Sequence, residues 1–257
     1  MSFNPVIWMA ATQEETMGNP LFRKAAFAVA LTMTVCSPPL AFGATPEAVV
    51  AAPDRSEADR QSDSTREPVK LLQFIGATPG WHVLDMAAGA GYSTELMARA
   101  VAPAGKVFAQ SGRLSDKLAE RLKTSAMTNV ELIVTPADNL SSPSLKNLDL
   151  VTFLFGYHDT TFLPVDRAKM NKAILDALKP GGLLIIADHS AKPEDGANVG
   201  KTLHRIAETT LRSEIEEAGF VFVAEGDFLR HPEDERTTPS SQNPASVDNF
   251  ILKFRKP

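Results

Sequence analysis

Three histidines and two aspartates in the second half of the chain are of the residue types that proton transfer needs. His158 is followed by Asp159, Asp188 is followed by His189, and His204 comes after them along the chain. An imidazole has an ordinary pKa of ~6.5, so it can remove a proton from a hydroxyl or an amine, and a neighbouring carboxylate can fix its tautomer. These residues are the candidate catalytic residues. His158, paired with Asp159 or Asp188, is the preferred base.

Two other roles for these side chains stay open. A histidine and aspartate pair can cap a helix or anchor a loop. Two imidazoles with two carboxylates can also hold a divalent metal ion. Side chains of neighbouring residues at the end of a strand, such as His158 and Asp159, point in different directions. We therefore expect no metal site here.

A glycine-containing segment is the second candidate for chemistry. Residues 83–92 read VLDMAAGAGY, in which a predicted strand ends at Asp85 and a predicted helix begins at Tyr92. A tight turn through Gly89 and Gly91 places bare backbone and a helix N-terminus beside a ligand. Taken alone, the segment is equally typical of a purely structural turn between a strand and a helix.

Short apolar runs alternate with amphipathic segments after residue 69. Runs without polar alternation are typical of parallel strands that are buried on both faces. The predicted strands are 81–85, 106–109, 130–134, 148–155 and 183–187. The predicted helices are 92–101, 114–124, 167–178 and 202–218. This alternation predicts an α/β fold with a mostly parallel sheet flanked by helices.

The last two apolar runs follow each other without a helix between them. They cover residues 220–228 and 249–254 and are separated by the polar loop 231–248. Strands that are adjacent in sequence and lack a crossover helix pair antiparallel. The sheet is therefore predicted to have seven strands and to end in an antiparallel β-hairpin.

Two motifs and the terminal hairpin resemble those of one enzyme superfamily. VLDMAAGAGY at 83–92 and LKPGG at 178–182, followed by the hairpin, resemble the class I S-adenosylmethionine-dependent methyltransferases. The match spans about residues 69–257. Further segments are similar to a bacterial group of predicted methyltransferases, many of which carry signal peptides. These segments are 108–110, 157–159, 187–190, 203–206 and 253–257.

The resemblance implies a Rossmann-like fold, S-adenosylmethionine as cofactor, and methyl transfer to an unidentified small or medium-sized acceptor. It also implies a set of cofactor-binding residues. In this family the loop after the first strand wraps the methionine part of the cofactor, so Asp85 is the candidate partner of its ammonium group. Ala87 stands where the family usually has glycine. The implied residues are Asp85, Ala87, Gly89, Gly91, Gln110, Asp138 and Gly156.

Gln110 departs from the family pattern, as Ala87 does, and Asp138 has a second possible role. Gln110 lies at the spacing expected for a residue that binds the ribose hydroxyls, but it lacks the usual carboxylate and offers only uncharged hydrogen bonds. Asp138 lies where the family commonly meets the adenine amino group. Asp138 could equally be a helix N-cap or a turn residue.

Composition excludes several other functions. The chain has 26 Lys and Arg against 31 Asp and Glu, so it carries no cationic field for nucleic acid. Its single cysteine, Cys36, excludes internal disulfides and multi-cysteine metal sites. A nicotinamide-dependent oxidoreductase needs a glycine near Thr94 and an acid at Gln110, and both are absent. The expected partner is a small-molecule substrate.

The N-terminal residues 1–43 are typical of a secretory signal peptide. Arg23-Lys24 precede the apolar run 25–35, and Ala41-Phe42-Gly43 fits a cleavage site. An apolar helix packed on the domain is the alternative. After the signal peptide we expect a helical arm at 44–68 and a methyltransferase-like domain at 69–257. We expect no stable membrane insertion and a periplasmic or secreted location. If the signal is misread, the location is cytoplasmic. The expected export is the reason for a second hypothesis on function, in which the chain is an exported noncatalytic protein that binds a ligand on the same fold.

Overall fold

Seven strands form one sheet. The structure is a computed structural model that describes residues 43–257, so the predicted signal peptide lies outside the described residues apart from Gly43. The strands are β1 (His82–Met86), β2 (Lys106–Ser111), β3 (Val130–Val134), β4 (Leu148–Leu154), β5 (Leu178–His189), β6 (Val221–Gly226) and β7 (Asn249–Arg255). Their order in the sheet is β3-β2-β1-β4-β5-β7-β6. The first five strands run parallel, and β7 is antiparallel to both β5 and β6. The predicted α/β fold class and terminal hairpin are confirmed.

The central strands are buried on both faces, as their unbroken apolar runs predict. Leu150, Val151 and Phe153 in β4 are buried, and so are Ile185 and Ile186 in β5. Consecutive side chains of a strand point to opposite faces, so this burial requires helices on both sides of the sheet.

Helices cover both faces of this sheet. They are α1 (Pro46–Val50), α2 (Glu57–Arg66), α3 (Pro68–Ile75), α4 (Tyr92–Val101), α5 (Asp116–Arg121), α6 (Arg167–Ala177), α7 (Gly200–Leu203) and α8 (Glu208–Glu217). In α6, Met170, Ile174 and Ala177 recur at helical spacing and form a buried stripe, which fits the amphipathic pattern of residues 167–178. Within residues 43–257, no helix has the length and apolar character required to span a bilayer.

The predicted helix 202–218 is confirmed over Glu208–Glu217 and wrong before it, because the chain breaks the helix at His204. His204 has the left-handed backbone angles φ 52° and ψ 51° and ends α7. Beyond it, Ile206 pairs with Ser190 in a parallel bridge, and the Ala191 N–H donates to the Ile206 carbonyl at 2.9 Å. Backbone pairing with the end of β5 therefore overrides the helical propensity of this segment.

The N-terminal arm, predicted at 44–68, contains the helices α1 and α2, and a new helix begins at Pro68. Pro68 is the first residue of α3, where a proline is well tolerated because the first N–H groups of a helix have no intrahelical partner. Helix α2 is tied to the rest of the domain by polar contacts. Asp59 bonds Arg121 of α5 at 2.6 Å, and Asp63 accepts a hydrogen bond from the Tyr92 hydroxyl at 2.7 Å. The arm thus contacts the beginning of α4, directly after the glycine-containing loop.

Candidate active site

The candidate residues follow three neighbouring strands. Since β1, β4 and β5 are parallel neighbours, their carboxyl ends meet at one edge of the sheet. The glycine-containing loop 87–91 follows β1, the turn 155–161 follows β4, and Ser190 follows β5. In open α/β sheets, this edge is where ligands bind.

The loop after β1 presents bare backbone to the outside. Ala87 and Gly89 have positive φ angles of 51° and 59°, and both are exposed. A Cβ added at Gly89 would meet no protein atom nearer than the Ala87 carbonyl oxygen at 3.7 Å. Gly91 differs, because a Cβ there would lie 2.8 Å from Cδ of Arg121. Gly89 therefore borders space for a ligand, whereas Gly91 is required for packing against α5.

Asp85 supports this loop from beneath. Its carboxylate is fully buried and accepts hydrogen bonds from Ser93 at 2.9 Å, Thr94 at 2.6 Å and Thr152 at 2.7 Å. Burial raises its pKa, and the three hydroxyl bonds counteract that effect. The predicted direct contact of Asp85 with the cofactor's ammonium group is not what the structure shows, because the carboxylate has no exposed surface. Asp85 instead joins the first turn of α4 to β4.

Gln110 is also turned inward. Its Oε1 accepts a hydrogen bond from the Ala87 N–H at 3.0 Å, and its Nε2 donates to the Thr135 carbonyl at 2.6 Å. Both polar ends are engaged with backbone, so the contact of Gln110 with ribose hydroxyls stays a prediction. The strand continues to Ser111, and Gly112 beyond it is exposed. Sequence reasoning missed these two residues because it ended the strand at Ala109.

Asp138 and Gly156 lie at the ends of β3 and β4. Asp138 belongs to a turn closed by a bond from the Asn139 N–H to the Pro136 carbonyl, and no helix follows it directly. The turn alternative thus fits Asp138, and the N-cap alternative does not. A Cβ at Gly156 would lie 3.2 Å from Cβ of Ala87. Gly156 therefore allows the ends of β1 and β4 to pack closely.

His158 is held between two carboxylates. Its Nδ1 lies 2.6 Å from Asp188 Oδ1, its Nε2 lies 3.2 Å from Asp159 Oδ1, and its backbone N–H donates to Asp188 Oδ2 at 2.7 Å. Burial lowers the pKa of this imidazole, but the bonds to Asp159 and Asp188 outweigh it and raise the pKa to about 10. An imidazolium cannot accept a proton at neutral pH. The bonds to the two carboxylates favour the charged form of His158, so the role of His158 as the base stays a prediction that its surroundings do not support.

The charge on His158 makes stability depend on pH. Its pKa is about 10 in the folded chain and ~6.5 in an unfolded one. The stabilisation is therefore complete below pH ~6.5 and is lost as the pH rises toward the folded-state pKa. We expect the difference in free energy of unfolding between the wild type and His158→Gln, measured in urea, to shrink from pH ~6 to pH ~10. A difference that stays constant over this range would show that His158 is not charged.

His189 has the properties that His158 lacks. Its Nδ1 lies 2.6 Å from Oδ1 of Asn249, whose Nδ2 donates to the Val247 carbonyl at 2.9 Å. The Asn249 oxygen must therefore accept, so Nδ1 of His189 carries the proton and Nε2 has a lone pair. Burial lowers the pKa of His189 despite the nearby charge of Asp188. A neutral imidazole with a fixed tautomer is competent as a base.

Comparison with known proteins identifies the family. A model of the ubiE/COQ5 methyltransferase family matches residues 63–198, more than half of the chain. This chain belongs to that family. The finding confirms the predicted class, the class I S-adenosylmethionine-dependent methyltransferases, and with it the predicted cofactor. It gives no support to the noncatalytic alternative.

Individual relatives match only part of this chain. The ubiquinone/menaquinone biosynthesis C-methyltransferase UbiE of Shewanella sediminis is 30% identical over 129 residues, which are 48% of this chain and 49% of the relative. The same enzyme of Hydrogenovibrio crunogenus is 31% identical over 124 residues, 46% of each chain. The chain thus spans about half the length of the curated relatives it matches.

Solved structures share the fold of this chain. A SAM dependent methyltransferase from Aquifex aeolicus superposes with a TM-score of 0.59 at 18% identity, over 77% of this chain and 93% of the other. The 1,6-didemethyltoxoflavin-N1-methyltransferase of Burkholderia thailandensis, with bound 1,6-didemethyltoxoflavin and S-adenosylhomocysteine, superposes with a TM-score of 0.55 at 18% identity, over 78% and 81%. At this identity, the likeness concerns the fold alone.

A cavity of about 220 Å³ opens beside His189. Arg66 of the arm stacks on Phe155, with 5.2 Å from its guanidinium carbon to the ring centre, and Phe155 stacks on His189. Arg66 forms no ion pair with the carboxylates of residues 43–257. The lining residues are Thr65, Arg66, Phe155, His189, Ser240, Ser241, Pro244 and Asn249. Sequence reasoning missed Arg66, Phe155 and Asn249, because only tertiary packing brings these three together.

The remaining candidates, Asp159 and His204, both contact His158. Their side chains are partly exposed, and Nδ1 of His204 is 3.6 Å from Oδ1 of Asp159. Neither residue belongs to the lining of the His189 cavity. The structure therefore brings all five predicted catalytic residues into one cluster. Within it, the neutral His189 lines the cavity, and the charged His158 lies beside it with its carboxylates.

Proposed function

We propose that this chain transfers a methyl group from S-adenosylmethionine to a small acceptor that carries a negative charge, and that His189 removes the proton from the acceptor's nucleophile. The observation that supports this most strongly is the cavity that both His189 and Arg66 line. This cavity adjoins the glycine-containing loop through Phe155, Gly156 and Ala87.

The residues at the ends of β1 and β2 fit the cofactor. Gly89 borders open space, Ala87 is exposed, and Gly112 is exposed at the end of β2. Helix α4 begins after Gly91 without a side-chain cap, so its first N–H groups face the loop. When bound, S-adenosylmethionine supplies an already activated methyl group. The chain therefore has to hold the acceptor in line, exclude water and accept one proton.

The cavity limits the acceptor. Its volume of about 220 Å³ is below the ~300–1,000 Å³ typical of ligand sites, which favours a small molecule. Arg66 lies between the rings of Tyr92 and Phe155, with its charge unpaired by any carboxylate of residues 43–257. Binding an anion there would satisfy a partly desolvated guanidinium. Hydroxyls of Thr65, Ser240 and Ser241 add donors and acceptors for a polar substituent.

The experiment is transfer of label from methyl-labelled S-adenosylmethionine to matched pairs of small phenols and amines, each with and without a carboxylate. We expect the carboxylate-bearing member of a pair to be methylated with the higher kcat/KM. We also expect Arg66→Gln to remove this preference by raising KM. Equal use of both members by the wild type would contradict the role of Arg66, and would leave the role of His189 to be tested by its own substitution.

We also propose that the chain is exported to the periplasm or beyond. The basic pair Arg23-Lys24, the apolar run 25–35 and the small residues at 41 and 43 support this. The test is fractionation of bacteria that express the full chain, combined with the mass of the protein recovered. A shortened protein outside the cytoplasm is expected. Full-length protein confined to the cytoplasm would contradict the proposal.

A further inference from the structure

We propose that His158, Asp159 and His204 form a binding site for a divalent transition-metal ion. Each of the three residues offers one ligand atom, and these atoms lie within 4.8 Å of one another. The prediction that His158 and Asp159 point apart is wrong, because residues His158–Thr161 form a 3-10 turn and not an extended strand. The turn directs both side chains to the same side.

The distances suit a metal ion of ordinary size. Nε2 of His158 is 3.2 Å from Oδ1 of Asp159, and Nδ1 of His204 is 3.6 Å from the same oxygen. Ligands at ~2.0–2.2 Å from an ion in a tetrahedral site are themselves separated by about 3.3–3.6 Å. The two imidazole rings are 5.5 Å apart and perpendicular, so they approach this position from different directions.

A carboxylate contacts the second ring nitrogen of His158, as is usual for a metal-bound histidine. Metal-binding imidazoles usually donate their second ring N–H to a carboxylate, which fixes the tautomer and the direction of the ring. Asp188 takes this place, with Oδ1 at 2.6 Å from Nδ1 of His158. Asp188 is itself fully buried and held by the backbone N–H groups of His158 and His189. Nε2 of His158 is thereby directed toward Asp159, and an ion bound there would displace the Nε2 proton of the imidazolium.

The backbone conformation of His204, the third proposed ligand, is unusual. His204 has a left-handed backbone, which is uncommon for a residue with a side chain and is concentrated at functional sites. Helix α7 packs tightly on the turn after β4, since a Cβ at Gly200 would lie 2.7 Å from the His158 carbonyl oxygen. This contact brings the end of α7, and with it His204, to the side of Asp159.

The donor set selects the type of ion. Two imidazoles and one carboxylate suit Zn²⁺, Fe²⁺, Co²⁺, Ni²⁺ or Mn²⁺, whereas Mg²⁺ and Ca²⁺ prefer oxygen ligands alone. The side chains of Asp159 and His204 are 42% and 46% exposed, which leaves coordination positions open toward solvent. A bound ion would join the turn after β4 to the segment after β5, next to His189.

The test is titration of the untagged full chain with CoCl₂ and with ZnCl₂ after dialysis against a chelator. We expect one Co²⁺ per chain, detected by visible absorption bands, and displacement of Co²⁺ by Zn²⁺. Asp159→Asn and His204→Gly should each weaken binding at least tenfold. Glycine is chosen at 204 because it retains the left-handed backbone. His231→Ala is the matched control, since His231 also pairs with a carboxylate, Glu233 at 3.2 Å, outside the cluster.

The outcomes distinguish a metal site from a solvated pair of charges. Loss of binding in both cluster variants, with normal binding in His231→Ala and unchanged circular dichroism in all three, supports the site. Failure of the wild type to bind Co²⁺ or Zn²⁺ stoichiometrically would overturn the proposal. Equal affinity of the wild type and both cluster variants would overturn it as well, because the ion would then be bound elsewhere.

Discussion

Gly89→Val is expected to abolish the binding of S-adenosylmethionine while the protein stays folded. The left-handed backbone at Gly89 strains any residue with a Cβ, at a cost of about 1–2 kcal/mol. No protein atom lies within 3.7 Å of the added Cβ, so the side chain would extend into the space assigned to the cofactor. We expect calorimetry to show at least a hundredfold loss of affinity.

A matched control separates this effect from strain. Gly181 has a similar φ of 77° and nothing within 4 Å of an added Cβ, but it lies near the start of β5, at the opposite edge of the sheet. Gly181→Val should lose a similar amount of stability and bind the cofactor normally. Gly91→Val is a poor test, because valine there would clash with Arg121. Normal binding by Gly89→Val would show that the loop does not contact the cofactor.

His189→Gln is expected to lower kcat by about a hundredfold or more and to leave cofactor binding unchanged. The loss follows from removing the base, since general base catalysis contributes ~10²–10⁴-fold to a rate. Glutamine retains a polar side chain of similar size at the cavity, so the fold should tolerate it. The measurement is single-turnover transfer to the best acceptor from the panel of phenols and amines, beside calorimetry with S-adenosylmethionine.

The hydrogen bond from His189 to Asn249 supplies a second test of the base. Asn249→Asp would place a negative charge 2.6 Å from Nδ1 and raise the pKa of the imidazole. The acidic limb of the pH profile of kcat should then move to higher pH. His82→Gln is the control, because His82 is exposed at the opposite end of β1. A pH profile that Asn249→Asp leaves in place, or full activity in His189→Gln, would remove His189 from the mechanism.

The fold could be predicted from the sequence because its signals are local. The apolar run of β4 and the stripe of α6 each report burial without reference to distant residues. The loop after β1 was equally visible, since glycines at 89 and 91 mark positive φ angles. Helix α4 begins at Tyr92 and ends at Val101, as its pattern predicts.

The roles of individual site residues depend on distant partners and could not be predicted in the same way. Asp85 and Gln110 stand at the expected places in sequence, but Thr152 and the Thr135 carbonyl engage them internally. His158 and His189 look equivalent in the sequence. Two carboxylates raise the pKa of His158, whereas burial lowers the pKa of His189, whose tautomer is fixed by an amide 60 residues away. Strand ends indicate where a site lies, but tertiary contacts decide what each side chain does.

The central claim is that the loop after β1 holds S-adenosylmethionine. It is tested most directly by calorimetric titration of the full chain with S-adenosylmethionine and S-adenosylhomocysteine, which needs no knowledge of the acceptor. We predict binding of one molecule per chain with a micromolar dissociation constant for both, and loss of this binding in Gly89→Val. A folded wild-type protein that binds neither compound would contradict the account.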